Sequence, residues 1–400
     1  MSRLRAFFLL LILFILNPFC AFCVSLIKIR NCTAYVSIRS NYNLFLIVIS
    51  LFLGVLAYTQ YTTQGDIIRT YESIILDAHV PELLTIDFGS SIFKIINVFI
   101  YNITGNVQYT SLFWVFLIYY LSLLSIVNII EYKEKSTGHA LYDYVCALIF
   151  CFIIFTQVTE LMKQAVAAAL FFYSFTSIIN RRLFRGGLCL LLSLGIHASS
   201  FFYFPLLLAF FIKKSKYLCI CAILSFLFRG FNLMEFVATK FRGLTIFSSI
   251  VDRAELYSEE HMENFFRADS LYFVTLFTFF VFFVSFIYLA SKNKNSIFLK
   301  LCIIMIIVLN LNHGVSHNFT RMLTMLFPFY LMIFSELDDV SDKYRVISQK
   351  VFLFSTFVFS LVMMSSRLSS TSSYGTSFMD NSLLKILISP LYLYLTTITF

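Results

Sequence analysis

The chain has 400 residues, of which 60% are hydrophobic and 13% are charged, and its mean hydropathy is +0.85. This small number of charged side chains is not enough to cover the surface of a water-soluble globular protein. The composition therefore excludes a soluble domain and predicts a membrane protein. The net charge of +9 then reflects membrane topology rather than a nucleic-acid partner, because basic residues collect in loops on one side of a membrane.

The first apolar run, residues 6–27, follows Arg3 and Arg5 and has the appearance of a signal peptide. The distribution of charge further along the chain argues against cleavage there. The pair Asn17-Pro18 predicts a break within the run. The run then either enters and leaves the membrane on one side or crosses it with the N-terminus outside, and the sequence leaves that choice open.

Long apolar segments recur along the rest of the chain, and none alternates with the period of two that a β-barrel strand shows. They predict an all-α, polytopic integral membrane helix bundle with about 11 to 14 transmembrane segments, forming a single membrane domain over residues 1–400. The predicted crossings after the first run are residues 43–58, 110–130, 142–158, 164–179, 187–212 in two short pieces, 217–228, 270–290, 297–312, 320–335, 351–366 and 382–400.

Six short segments between these crossings carry more than half of the 30 lysines and arginines. The positive-inside rule therefore places them on the cytoplasmic side. These segments are residues 28–42, 131–141, 180–186, 213–216, 291–300 and 336–350. Residues 230–269 then form a large extracytoplasmic loop, in which apolar and charged residues alternate at the spacing of amphipathic helices.

The segment between Arg185 and Lys213 is long enough for one comfortable crossing or two short ones. One crossing would reverse the sidedness of every later basic loop, so we predict two short helices that meet in GIHASS, residues 195–200. This arrangement puts His197 and Ser199 at the outer end. Such a break in a membrane requires protein or water to satisfy the freed backbone groups, which predicts a cavity there.

The outer ends of the crossings also carry clusters of polar residues. In TQGDIIRTYESI, residues 63–74, the spacing of Asp66, Arg69 and Glu72 would place one arginine between two carboxylates on a helix, although an ion-paired surface turn gives the same pattern. In TELMKQAVAAALF, Lys163 and Gln164 open an apolar helix, where a lysine can also simply reach the headgroups.

A third cluster lies in LNHGVSHNFTRMLTMLFPFY. His313 and His317 have the i, i+4 spacing of a metal pair, but no third ligand lies at a recognisable spacing, so we predict no metal and no cofactor. Arg321 begins a helix, where the macrodipole disfavours a cation, so an anionic partner is expected.

The order of GDIIRTYES, IDFGSSIFKIINVFIYNITGN, ELMKQAVAAALFFYSF, GIHASSFFYFPLLL and FTRMLTMLFPFY resembles the Wzy-type polysaccharide polymerases, specifically the EpsG-like branch found in O-antigen, lipopolysaccharide, capsule and exopolysaccharide gene clusters. The resemblance covers roughly residues 43–335. The family pattern has Arg-Gln where this chain has Lys163 and Gln164. The lysine keeps the charge but gives up the two-pronged geometry of a guanidinium.

This resemblance implies a glycosyltransferase of the bacterial inner membrane. It would move a glycan from undecaprenyl diphosphate onto a lipid-linked repeat unit at the periplasmic face, with membrane lipid and a chain-length regulator as expected partners and no nucleic acid. Cations would surround the diphosphate, His197 would bind a phosphate or sugar, and a carboxylate would act as base. The candidate catalytic residues are Arg69, Arg321, His197, Asp66, Glu72 and Glu160, and the candidate substrate-binding residues are Lys163, Gln164, Tyr71, Ser199, His313 and His317.

Two other classes of membrane protein remain open. A flippase for the lipid-linked unit would need polar residues along several mid-span positions, whereas these polar residues gather at one face. A membrane acyltransferase that modifies the same polysaccharide would act on the same surface without changing the chain length.

Overall fold

A computed structural model describes most of the chain. The described residues are 3–31, 38–59, 66–80, 91–133, 138–228, 239–240, 270–292, 295–311, 326–340, 344–369 and 389–396. Within these ranges the chain forms sixteen α-helices and no strand. The predicted all-α membrane helix bundle is confirmed.

The helices of the first half vary widely in length, from 6 to 25 residues. They are α1 Arg3–Leu16, α2 Pro18–Arg30, α3 Ile38–Tyr58, α4 Asp66–His79, α5 Ser91–Thr104, α6 Gln108–Tyr132, α7 Gly138–Ala147, α8 Phe155–Glu160 and α9 Met162–Ile179. A π-helical turn, Leu148–Phe152, extends α7.

The second half alternates α-helices with two 3₁₀ segments, Ala198–Phe210 and Phe226–Phe228. The α-helices are α10 Leu183–Ile196, α11 Ser215–Ser225, α12 Ser270–Ser291, α13 Ile297–Leu311, α14 Phe327–Asp338, α15 Arg345–Ser369 and α16 Leu391–Thr396.

Helices α6 and α9 form the centre of the bundle. Among the described residues, both are long and apolar enough to cross a membrane, and nine further apolar helical segments are shorter. Asn128 of α6 donates to Thr176 near the end of α9, so these two helices run in the same direction. Tyr120 of α6 donates to Asn43 at the start of α3, so α3 runs in the opposite direction.

Small residues allow the central helices to approach closely, as is common in membrane bundles. A β-carbon added at Gly54 of α3 would lie 2.7 Å from the carbonyl oxygen of Leu112 in α6. The run Ala165 to Ala169 at the start of α9 is buried, and Ser193 of α10 donates to the carbonyl oxygen of Ala167 at 2.9 Å. Ser174 of α9 donates to the carbonyl oxygen of Gly186 at 2.6 Å, so α9 and α10 are antiparallel.

The predicted break in GIHASS lies at His197. This residue has extended backbone, with φ −149° and ψ 130°, and it separates α10 from the 3₁₀ segment Ala198–Phe210. Thirteen residues of 3₁₀-helix span about 26 Å, against about 20 Å for an α-helix of that length. Phe171 stacks on Tyr203 and Phe175 on Phe210, so this segment runs alongside α9 and returns to the end where α10 begins.

The described parts of the six segments predicted for the cytoplasmic side meet at one end of the bundle, which we call the Lys133 end. The contacts that join them are Arg30 with Tyr142, Lys133 with Glu336, Arg182 with Glu131, Tyr132 with Phe298, and Asn295 with the Lys213 carbonyl. The opposite end, where α3 and α10 end and α6 and α9 begin, is called the Lys163 end.

One predicted crossing differs from the structure. The helix predicted at 142–158 ends at Phe152, because Ile153 is extended and β-branched residues lower helix propensity; the short α8 comes next. Residues 320–325 of the crossing predicted at 320–335 lie outside the described residues, and the described part of it lies in α14. The helix α16 is the described helical part of the crossing predicted at 382–400. The loop predicted at 230–269 lies outside the described residues, except for residues 239–240.

Candidate functional site

Lys163, the second residue of α9, rests on a stack of aromatic rings at the Lys163 end. Its ammonium nitrogen lies 5.2 Å from the centre of the Phe93 ring, which belongs to the first turn of α5. Phe93 stacks on Trp114 of α6, with ring centres 4.9 Å apart and planes 16° apart. The indole N–H of Trp114 donates to Asn97 Oδ1 at 2.6 Å. Three helices therefore hold one cation in place.

His197 lies at the same level as Lys163. Ser193 of α10 donates to the Ala167 carbonyl of α9, and these helices are antiparallel. His197 is one turn beyond Ser193, and its N–H donates to the Ser193 carbonyl at 3.1 Å. Lys163 is one turn beyond Ala167 on the facing side of α9. The structure thus brings two of the predicted site residues to adjacent helix ends.

The N-termini of α5 and α9 also meet here. Phe93 is the third residue of α5, and Lys163 is the second residue of α9. The 3₁₀ segment begins close by, since a β-carbon added at Gly195 would run into Ile92 Cδ1 of α5. Helix N-termini carry unsatisfied N–H groups and a partial positive charge. Together with Lys163 they create a positive potential suited to an anion.

Gln164 lies beside Lys163 but is directed into the protein. Its side chain is buried, with 8% of its surface exposed, and its Oε1 accepts no hydrogen bond from the described residues. A buried carbonyl oxygen without a donor costs free energy, so this position favours a protein group, a water or a ligand that donates to it.

Helix α4 packs one face on the bundle and exposes the other. Ile67, Tyr71 and Ile74 are buried, and the Tyr71 hydroxyl lies 2.5 Å from Ser111 Oγ of α6. Burial raises the pKa of the Tyr71 phenol, so it stays protonated at neutral pH. The structure gives Tyr71 a contact that attaches α4 to α6, and its part in substrate binding stays a prediction.

The predicted charged residues of α4 lie on its other face. Arg69 and Glu72 are both exposed, one turn apart, as the sequence spacing predicted. Asp66 is the first residue of α4, and Glu160 is the last residue of α8, a helix that contacts α4. The side chains of Asp66, Glu160 and Ser199, and the whole of His313, His317 and Arg321, lie outside the described residues.

Sequence reasoning missed the aromatic support of Lys163. Phe93 and Asn97 are the two buried residues of α5, and they are one turn apart in a segment that the sequence analysis used only as part of the family resemblance. Trp114 is the single tryptophan of the chain. The sequence offered no signal for this support, because the burial of Phe93 and Asn97 depends on how the helices pack.

Within the described residues, no three His, Cys, Asp or Glu side chains are grouped closely enough to hold a metal ion. The described residues at the Lys163 end offer cations, backbone N–H groups, amides and an imidazole, which are groups that bind phosphate oxygens.

Comparison with known families settles the relationship of the chain. The sequence profile of the EpsG family matches residues 42–379. The chain belongs to the EpsG family. The match includes every candidate site residue from Asp66 to Arg321. No curated protein and no experimentally solved structure matches the chain significantly.

EpsG-family membership supports a function of the polysaccharide-polymerase type. In this EpsG-family chain, the described parts of three segments that carried the resemblance lie at the Lys163 end: GDIIRTYES at the start of α4, ELMKQ at the junction of α8 and α9, and GIHASS at the break after α10.

Proposed function

We propose that the chain is a multi-pass polymerase of the bacterial inner membrane that transfers a growing glycan from undecaprenyl diphosphate onto the sugar of a lipid-linked repeat unit. The observation that carries this proposal is the meeting of Lys163, His197 and the N-termini of α5 and α9 at one end of an EpsG-family bundle. A diphosphate is the part of such a substrate that requires concentrated positive charge.

The reaction needs that charge on the leaving group. The bond between the anomeric carbon of the donor sugar and the diphosphate oxygen breaks, and its electron pair stays on the diphosphate. Positive groups fixed before the reaction lower the energy of that developing charge without having to reorganise. Lys163 and the two helix N-termini would supply this stabilisation, and Arg69 and Arg321 would add to it.

The acceptor hydroxyl forms the new bond to the anomeric carbon and loses a proton. A carboxylate within reach of that hydroxyl would take the proton. Asp66, Glu72 and Glu160 are the candidates, since α4 and α8 contact each other next to α9. His197 would hydrogen-bond a phosphate oxygen or a sugar hydroxyl.

The proposal also places the site on the periplasmic face. The six basic segments lie together at the Lys133 end, which the positive-inside rule assigns to the cytoplasm. The Lys163 end then faces the periplasm, where lipid-linked repeat units are joined. A chain-length regulator would contact the protein from that side.

The test is the length profile of surface polysaccharide, read on a gel, in a strain that lacks the gene and carries wild type, Arg69→Ala or Arg185→Ala. We expect single repeat units in the deletion strain and a ladder of long chains with wild type. Arg69→Ala should fail to restore the ladder, whereas Arg185→Ala, an exposed arginine at the opposite end, should restore it.

A normal ladder in the deletion strain would contradict the polymerase. Loss of the single-repeat product as well would indicate a flippase, and normal chain lengths with lost acetylation would indicate an acyltransferase. Western blotting of each variant confirms equal amounts of protein, so a missing ladder reports on function.

A further inference from the structure

We propose that Phe93 is a positioning residue that holds the Lys163 ammonium at the place where the diphosphate binds, with Trp114 and Asn97 as the fixed base beneath it. This inference rests on the proposed function, since it assigns the diphosphate to Lys163. Phe93 itself would touch neither sugar nor phosphate.

The geometry shows a rigid support. Phe93, Trp114 and Asn97 are each 1% exposed, and they come from two helices, α5 and α6, that pack together. The hydrogen bond from the Trp114 indole N–H to Asn97 fixes the plane of the indole. The Phe93 ring stacks on the indole with 16° between the two ring planes, so its orientation is fixed as well. The face of the Phe93 ring is then presented to the ammonium of a third helix, α9.

A lysine needs such support more than an arginine does. Its ammonium is a point charge on a stem of four carbons, and it cannot grip a phosphate in two places as a planar guanidinium can. The negative face of an aromatic ring attracts the ammonium through its quadrupole and does not cancel its charge. Phe93 therefore restricts where the cation lies and does not itself neutralise the charge.

The experiment measures binding of farnesyl diphosphate, a short isoprenoid diphosphate, to the purified full-length protein in lipid nanodiscs by calorimetry. Four proteins form a double-mutant cycle: wild type, Phe93→Leu, Lys163→Met and the double variant. Phe93→Leu should weaken binding on the order of 10-fold in the presence of Lys163, the range expected for a partly desolvated cation–π contact. In the Lys163→Met background the same change should alter binding less than about twofold.

A structural role of Phe93 gives a different result. If the ring only fills space, Phe93→Leu should weaken binding by the same factor in both backgrounds, and that outcome overturns the proposal. Trp114 is the only tryptophan, so its emission maximum reports directly whether each variant keeps the packing around the stack.

A second measurement avoids any change of shape. Phenylalanine analogues with one, three and five fluorine atoms, incorporated at position 93, weaken the negative face of the ring in steps while nearly preserving its size. Affinity for farnesyl diphosphate should fall with each step, and an affinity that does not follow the fluorine count overturns the proposal even if Phe93→Leu fails to fold.

The two proposals fail in distinguishable ways. Wild-type protein that binds no farnesyl diphosphate would contradict the diphosphate-dependent function and this inference with it. Wild-type protein that binds it, with no dependence on the ring, would leave the proposed function intact and remove only the role of Phe93.

Discussion

The two ends of the bundle differ in what accompanies a lysine that lies over a phenylalanine ring: Lys133 over Phe298 at 5.6 Å, and Lys163 over Phe93 at 5.2 Å. At the Lys133 end the ammonium, in a side chain only 7% exposed, contacts the carboxylates of Glu336 and Asp339 and the Ser335 carbonyl. Glu336 is 2% exposed, so this is a buried ion pair. At the Lys163 end the ammonium rests on a phenylalanine ring next to two helix N-termini.

Carboxylates join the ring at Lys133, and in our proposal a phosphate of the substrate joins it at Lys163. A buried carboxylate cancels the charge of its lysine and fixes the helices that carry them, here α6 and α14. An aromatic face fixes the ammonium without cancelling it. The same residue type therefore supports structure at one end and, in our proposal, chemistry at the other.

The largest expected effect comes from Lys133→Ala. The change leaves Glu336 buried without its main cationic partner, which should lower the free energy of unfolding by about 3–5 kcal/mol. Chemical unfolding in detergent, followed by Trp114 fluorescence, measures it, and Lys350→Ala, an exposed lysine of α15, is the control.

The double variant Lys133→Met/Glu336→Leu sharpens this prediction. Replacing both charges by apolar side chains should restore most of the lost stability, since removing a whole buried pair is often nearly neutral. If the Lys133→Ala protein is stable but no longer polymerises, the Lys133 end also acts in the reaction. That result would contradict the structural role assigned to Lys133.

Lys163→Ala should have the next largest effect, on activity rather than stability. Removing one preorganised donor from a developing negative charge typically costs on the order of 100-fold or more in rate. The rate of repeat-unit transfer by purified protein measures it, with Lys163→Arg expected to keep most of the activity.

The matched control for that change is Lys216→Ala. Lys216 also lies over an aromatic ring, that of Tyr217, but at the Lys133 end. Its loss should leave the transfer rate unchanged. Equal losses in the two variants would mean that cation–π contacts matter to this protein only for folding.

Tyr71→Phe should have the smallest effect. Loss of the hydroxyl removes one buried hydrogen bond to Ser111, worth about 1 kcal/mol of unfolding free energy. Because Ile67 and Ile74 still bury the same face of α4, the transfer rate should fall by no more than a few-fold. A rate loss much larger than the stability loss would show that Tyr71 contacts substrate.

Much of the fold could be predicted from the sequence, because apolar length and basic loops constrain helix order strongly. The break at His197 followed from the short interval between Arg185 and Lys213 and the need to keep the later lysines on one side. The gathering of the six basic segments at one end supports that reasoning. The early end of α7 could not be predicted, because β-branched residues also occur within membrane helices.

The site was predictable only as a set of polar residues at one end. Lys163 and His197 were found because their charge and polarity stand out in apolar helices. Phe93 and Asn97 were not found, because among 50 phenylalanines no local pattern shows which ring lies under an ammonium. That contact depends on how α5 packs against α6 and α9, which spacing along the chain does not encode.

The 3₁₀ segment after His197 has a mechanical consequence. The rise per residue is about 0.5 Å greater in a 3₁₀-helix than in an α-helix. Conversion of the thirteen residues to an α-helix, called winding here, would therefore shorten the segment by about 6.5 Å, slightly more than one α-helical turn. The segment runs from Ala198 to Phe210, directly after the His197 break. Winding would therefore draw its Phe210 end along α9 towards the Lys163 end by about that length.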